Sequence, residues 1–372
     1  MPWERVGELC GHRVPGVLCL SPLSPYLSLS SSPSSIEEPT TASGGSPFFC
    51  SGGQDGTIRL WDLAVGRSVR AMMAPRGKPV NALCIGRAAS HNFVLAAAGR
   101  LVFGYDLRAP GMVLRVPAVP SLGKAAEEVS CLAMDERGQA VAIGDDSGEL
   151  RVVDLDGDAL PELDVAHGSI CACAQFRPGA RLELLSGGMD SCIVRWDGSS
   201  GSVLRAWDLA PPAAEGPPAQ LVNPRHVHSL AYAPGGSCFA VALGDGSVEI
   251  RGSDEGELLA AVEDAHRAAA SQVLFAPSLT HTLPACDAST ALPLLSAGDD
   301  SELRVWRVRS VAADDGISGG IVIDGVGRVR LEDKPNAIAL SGDIVCVAGT
   351  SDRLALFRYD PLADELDRMD LL

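Results

Sequence analysis

No run of apolar residues in this sequence reaches the length a membrane-spanning helix needs, and the opening MPWERVGELCGH lacks a basic flank leading into an apolar core. Neither a transmembrane anchor nor a secretory signal is expected, and a cytoplasmic or nuclear setting is. Basic residues are in short supply: 30 Lys and Arg stand against 47 Asp and Glu, a formal charge of −17 with no basic cluster. A surface that tracks phosphates needs the opposite sign, so nucleic acid is not an expected partner, and neither is a membrane. Stretches with helical periodicity are few, while Gly 40 and Pro 25 favour many short strands and turns. The 11 cysteines are odd in number and scattered through candidate strands, which fits reduced, buried thiols and not a disulfide framework.

What the chain does have is ample apolar material, 46% of its residues, and a stretch that repeats. Residues 166–197, AHGSICACAQFRPGARLELLSGGMDSCIVRWD, read as three strands (169–176, 182–186 and 192–196) joined by tight turns in one antiparallel sheet. Ser186, Asp190 and Trp196 are spaced by four and then six residues, with His167 upstream. These types suit a hydrogen-bond relay: an indole N–H that only donates, a hydroxyl that does both, and an imidazole with a proton on each side linking the hydroxyl to the carboxylate. The set recurs as His12, Ser51, Asp55 and Trp61, and again as His266, Ser296, Asp300 and Trp306. A Ser-His-Asp nucleophile needs one pocket and one reacting centre, so three copies argue for scaffolding and against an enzyme.

The third strands of seven such units close at Trp61, Tyr105, Val153, Trp196, Arg251, Trp306 and Phe357, at intervals of 43 to 55 residues. The shorter intervals match the roughly 40–45 residues of a four-stranded propeller blade, and the longer ones contain Pro-rich loops. Each unit is expected to take a fourth strand from the segment that follows it, as at 68–73 and 203–208. The last unit is followed by the acidic DPLADELDRMDLL, which has no convincing strand, so residues 2–9 are expected to complete it and to close the ring.

The Gly-His and Trp-Asp pairs at this spacing resemble the WD40 β-propeller family over essentially the whole chain. The resemblance implies an all-β fold, a single seven-bladed propeller over residues 1–360. A disordered Ser/Pro-rich loop is inserted at 21–47, a Pro-rich connector at 211–224 and a loop at 277–293, and an acidic tail follows at 361–372. The four Ser-Pro pairs of the first insertion are candidate phosphorylation sites. A narrower resemblance, to one group within the family, is carried by EEVSCLAMDERGQAVAIGDDSGELRVVDLD, by HGSICACAQFRP followed by LLSGGMDSCIVRW, and by PAQLVNPRHVHSLAYAPGG.

Other candidate chemistry has simpler readings. His167 with Cys171 and Cys173, two apart and so on one strand face, lacks a fourth zinc ligand and reads as a relay histidine beside buried thiols. His226 and His228 read as surface or loop histidines sharing one face. GGQDG, GDDSG and GDG join strand to strand, without the helix N-terminus that a phosphate cradle requires. No cofactor, metal or catalytic residue is expected.

Tyr105-Asp106-Leu107-Arg108 resembles the Trp-Asp-x-Arg motif of WD40 substrate receptors of cullin-4 ubiquitin ligases, where it helps dock the adaptor, damage-specific DNA-binding protein 1. An Arg just past a strand end can emerge on a propeller rim, with Asp106 holding it or meeting the adaptor. Trp306-Arg307-Val308-Arg309 is a second copy without the Asp, so Tyr105, Asp106, Arg108, Trp306 and Arg309 are the adaptor-binding candidates. The residues alone leave open that Arg108 is a solvated strand-end side chain; the resemblance favours docking. The expected function is a non-catalytic receptor, monomeric within a protein complex, that captures a target protein. The alternative is a scaffold or peptide-binding propeller with no ubiquitin connection.

Overall fold

The computed structural model describes residues 3–22, 48–88, 91–155, 160–163, 167–210, 223–282, 291–311 and 320–359. Most of the Ser/Pro-rich insertion, the connector 211–222, residues 283–290 and the tail lie outside them. The inner three strands of every described sheet pair locally, antiparallel and in sequence order, with turns such as GMDS and GDDSG returning the chain. Seven sheets result. Their innermost strands (Val17–Pro22, Ala82–Ala88, Val129–Met134, Cys171–Phe176, Val227–Tyr232, Ala270–Phe275 and Pro335–Ser341) touch in sequence order, and the last meets the first. The molecule is a seven-bladed β-propeller, with no α-helix among the described residues.

Burial falls from axis to edge, and the sequence follows it. Second strands are covered on both faces and read as continuous apolar runs, such as CFAVAL (Cys238–Leu243), buried at every position. The outermost strand Ser202–Asp208 is exposed along most of its length. Between blades the facing side chains form separate apolar clusters, one per seam, that of blades one and two uniting Ile58, Leu60 and Met72 with Val94, Phe103 and Tyr105. The seven closing positions are structurally equivalent: Trp61, Tyr105, Val153, Trp196, Arg251, Trp306 and Phe357 pair with Phe49, Val94, Val141, Leu184, Phe239, Leu294 and Val345 on the second strands.

Closure by the N-terminal strand holds. Trp3–Cys10 pairs antiparallel with Arg353–Tyr359, from Trp3↔Tyr359 to Cys10↔Arg353. Its two faces serve two seams, since Trp3 packs with the cluster shared by blades six and seven, and Leu9 with Trp61 of blade one.

Some boundaries differ from expectation. Ser21 and Pro22 do not belong to the insertion: they still pair with Cys50 and Phe49. The loop at 277–293 opens as a 3-10 helix, Pro277–Thr282, and its end is already strand, Ala291–Gly298. Blade three has three strands among the described residues, and so does blade two. After blade two, Pro110, Pro117 and Pro120 remove backbone donors, and a regular fourth strand gives way to isolated bridges at Gly104↔Val119 and Leu101↔Lys124. Part of that segment, Val113–Leu114, crosses to blade one and extends it as a fifth, parallel strand.

Candidate functional site

The three relays are formed, with nearly the same geometry. In blade four, Trp196 Nε1–H donates to Ser186 Oγ at 2.9 Å, Ser186 Oγ lies 2.8 Å from His167 Nε2, and His167 Nδ1 lies 3.1 Å from Asp190 Oδ1. Asp190 also accepts the backbone N–H of Gly168 at 2.8 Å, which ties the lead-in loop to the turn between second and third strands. The matching bonds in blade one are 2.7, 2.8 and 3.0 Å. In blade six they are 2.8, 2.8 and 3.0 Å.

The donor order fixes the protonation. Ser186 accepts from Trp196, so its own O–H is free to donate to His167 Nε2, and a single proton on Nδ1 then reaches Asp190. One imidazole proton suffices, in place of the two expected. Burial favours this neutral form, holding His167 and His266 below the usual histidine range against the pull of Asp190 and Asp300. Asp55 and Asp300 are held below the usual carboxylate range by their histidine and backbone donors, which outweigh the opposing burial.

The order Ser-His-Asp is that of a hydrolase triad, yet the surroundings are wrong for one. Ser51, Ser186 and Ser296 are each 0% exposed, and each already takes the indole proton, so no substrate carbon can approach. A fifth member was not read from the sequence. A Cβ on Gly188 would lie 2.5 Å from His167 Nδ1 and 2.4 Å from Asp190 Oδ1, and Gly53 and Gly298 stand in the same relation to their relays. The glycine two residues after each serine is the space in which the relay sits.

Blades without a relay lose its serine and its tryptophan together. The position of Ser186 is taken by Ala96, Ile143, Val241 and Val347 in blades two, three, five and seven, all buried. Other ties replace it: in blade three the acid moves to the glycine's position, and in blade five it keeps its place, four residues after Val241, but meets an arginine. In blade three Asp145 accepts from the N–H groups of Glu127 at 3.1 Å and Ser147 at 2.9 Å. In blade five Arg225 pairs with Asp245 at 2.9 Å.

The expectation that Cys171 and Cys173 share a face is overturned. A bulge between them in the pairing with Gly188 and Gly187 turns them to opposite seams, Cys171 beside Cys131 and Cys173 beside Val227. The hydrogen bond with Cys131 and burial both keep the Cys171 thiol protonated, and burial does the same for Cys173. His167 uses both ring nitrogens in the relay. His226 and His228 are neighbours, as expected, with ring centroids 6.4 Å apart; both are half-buried, His226 in the lead-in loop and His228 in the strand Val227–Tyr232.

The adaptor-binding candidates are divided by the structure. Tyr105 is 1% exposed and donates its hydroxyl to the carbonyl of Met73 in blade one at 2.6 Å, so it is a seam residue and not a contact. Trp306 is buried in its relay. Arg309 is no copy of Arg108: blade six's third strand runs on to Val311, so Arg309 lies within it, paired to Ala291 and Val322, with its guanidinium on Asp324 at 3.0 Å.

Asp106 and Arg108 do form a unit past a strand end. Asp106 Oδ1 accepts the Arg108 backbone N–H at 2.8 Å, the turn bond that Asp62 and Asp197 make to Ala64 and Ser199 at 2.9 Å. Asp197 also takes the Ser199 hydroxyl, whereas Asp106 grips a charged side chain, with Arg108 Nε at 3.1 Å and Nη2 at 2.9 Å. The guanidinium stays part-exposed, on the rim opposite the relays. Leu107 is anchored through its carbonyl to Arg70 of blade one's outer strand, and Met112 likewise to the N–H of Ala71. In the segment that follows, large apolar side chains face solvent: Met112 is 74% exposed and Val116 82%.

The fold is a seven-bladed β-propeller whose sequence resembles the WD40-repeat family, a class of generally non-catalytic modules that bind proteins, and that class suggests a protein-interaction scaffold. The family model for the WD domain, G-beta repeat, matches residues 40–62, which include the second and third strands of blade one. Over 280 residues the chain is 26% identical to the WD repeat-containing protein 53 homolog of Dictyostelium discoideum, covering 70% of this chain and 72% of that relative. WD repeat-containing protein 53 is also the protein to which the narrower block resemblance points.

Proposed function

We propose that the protein is a substrate receptor of a cullin-4 RING ubiquitin ligase, docking the adaptor damage-specific DNA-binding protein 1 through the rim around Asp106 and Arg108. The observation that carries this reading is a part-exposed guanidinium fixed by its own carboxylate at a strand end, in a segment that goes on to expose Met112 and Val116. A preordered charge loses little side-chain freedom on binding, and exposed apolar side chains in the same segment supply the other part of a docking anchor. The likeness of Tyr105-Asp106-Leu107-Arg108 to the receptor motif supports the same reading, with Tyr105 holding the seam beneath it. The target protein would then occupy the other rim or the central opening.

Purified adaptor binding tests this. Arg108→Ala and Arg108→Asp are expected to fold normally and to lose adaptor retention. A wild-type chain that does not bind the adaptor removes the ligase role and leaves the general scaffold.

A further inference from the structure

Between blades six and seven, away from Arg108, the outer strands part around a cavity of about 420 Å³. Its floor is apolar, formed by Trp3, Phe357, Val347 and Leu331, with the exposed side chains of Arg330 and Arg353 at its edge. The Arg5–Glu332 ion pair, 2.5 Å, joins the two blades beside it. Two groups in this lining lack a complement. The indole N–H of Trp3, a residue 6% exposed, has no acceptor, and a buried donor without an acceptor is costly. Arg330 makes no ion pair among the described residues, whereas Arg353 is held by Glu8 at 2.7 Å.

We propose that residues 360–372 dock in this groove. They lie outside the described residues; the groove lies within them. The segment leaves the third strand of blade seven at Tyr359, whose ring packs 5.2 Å from Trp3, so it emerges beside the cavity. Its sequence supplies what the groove lacks. Leu362, Leu366 and Met369 offer apolar groups for the floor, and Asp360, Asp364, Glu365, Asp367 and Asp370 offer carboxylates for Arg330. Any of its carbonyls or carboxylates is an acceptor for the Trp3 N–H. The run along the strand from Phe357 back to Arg353 is about 13 Å, at ~3.3 Å per residue. Even a helical segment of this length spans about 20 Å, at ~1.5 Å per residue, so reach is no obstacle.

Hydrogen exchange on the full chain tests the docking against a free peptide with the sequence of residues 360–372. The amides of the segment are expected to exchange about tenfold or more slowly in the chain than in the peptide. Arg330→Glu and Leu366→Asp should each restore the peptide's rate with circular dichroism unchanged, and Arg330→Lys should keep the protection. Exchange at the peptide's rate in the wild-type chain would overturn the proposal. So would protection indifferent to Arg330→Glu, or protection that rises with chain concentration and so belongs to a second copy.

Discussion

Blade four and blade two place different chemistry at the same position. Trp196 turns its N–H inward to Ser186 and through His167 to Asp190, so blade four ties its own loop to its own sheet. Tyr105 reaches outward to Met73, and the segment after it crosses to the edge of blade one, leaving Met112 and Val116 in solvent. Where the repeat is best kept, it is closed to partners; where it breaks, it opens a surface.

The glycine contrast should give the largest effect. Gly188→Ala drives a Cβ into the relay and is expected to cost about 2–3 kcal/mol in denaturant unfolding, through buried groups forced apart. Blade two already carries Ala98 at the equivalent position, since no histidine stands there, and Ala98→Gly should cost only about 0.5–1 kcal/mol in chain entropy. Equal effects would erase the distinction between the blades.

Removing the relay's acid comes next. Asp190→Ala is expected to cost about 1–3 kcal/mol, and Asp55→Ala to fall at the upper end of that range. Asp55 is more buried, with its side chain 4% exposed against 19% for Asp190. It also accepts from Thr57 Oγ1 at 2.7 Å, a bond with no counterpart in blade four. Blade four is thus not the most strongly knit relay, although its sequence is the most regular. Unfolding midpoints of the two variants in urea check the order.

Blade two also suggests that the relay can be removed whole. Ser186→Ala alone strands the Trp196 and His167 nitrogens. Combined with His167→Leu and Trp196→Phe, it should cost less than the sum of the three single variants, by about 1 kcal/mol or more in a mutant cycle. Strict additivity would mean that the members do not act as a unit.

The smallest effect is with pH. Burial holds His167 and His266 below their ordinary value of 6.5, so the unfolded chain binds these protons first. Their contribution is complete above about pH 6.5 and is lost as pH falls from there toward the folded values. The melting temperature should therefore fall on acidification below that point, and less steeply in the triple variant. A second loss should follow below the ordinary carboxylate value of 3.8 as Asp300 takes up a proton.

Seven blades, their closing residues and the closing N-terminal strand were legible because hydrogen-bonded turns and apolar strands repeat locally. Three things were not. The facing of Cys171 and Cys173 depends on a bulge, which shifts the two-residue alternation without a mark in the sequence. The fate of the segment after Tyr105 depends on a neighbouring blade's free edge. The substitute ties use Asp145 at the relay glycine's position and Arg225 in place of a histidine, although its partner Asp245 does stand at the relay spacing. Of the candidate site, the hold of Asp106 on Arg108 was legible from their spacing, while the burial of Tyr105 and Trp306 was implicit in their equivalence to Trp196.

The most direct measurement is the affinity of purified damage-specific DNA-binding protein 1 for the wild-type chain and for Arg108→Asp, with melting curves of both. The account predicts adaptor binding by wild type, a loss of about thirtyfold or more in the variant, and coincident melting curves. Binding by Arg108→Asp as tight as by wild type would contradict it.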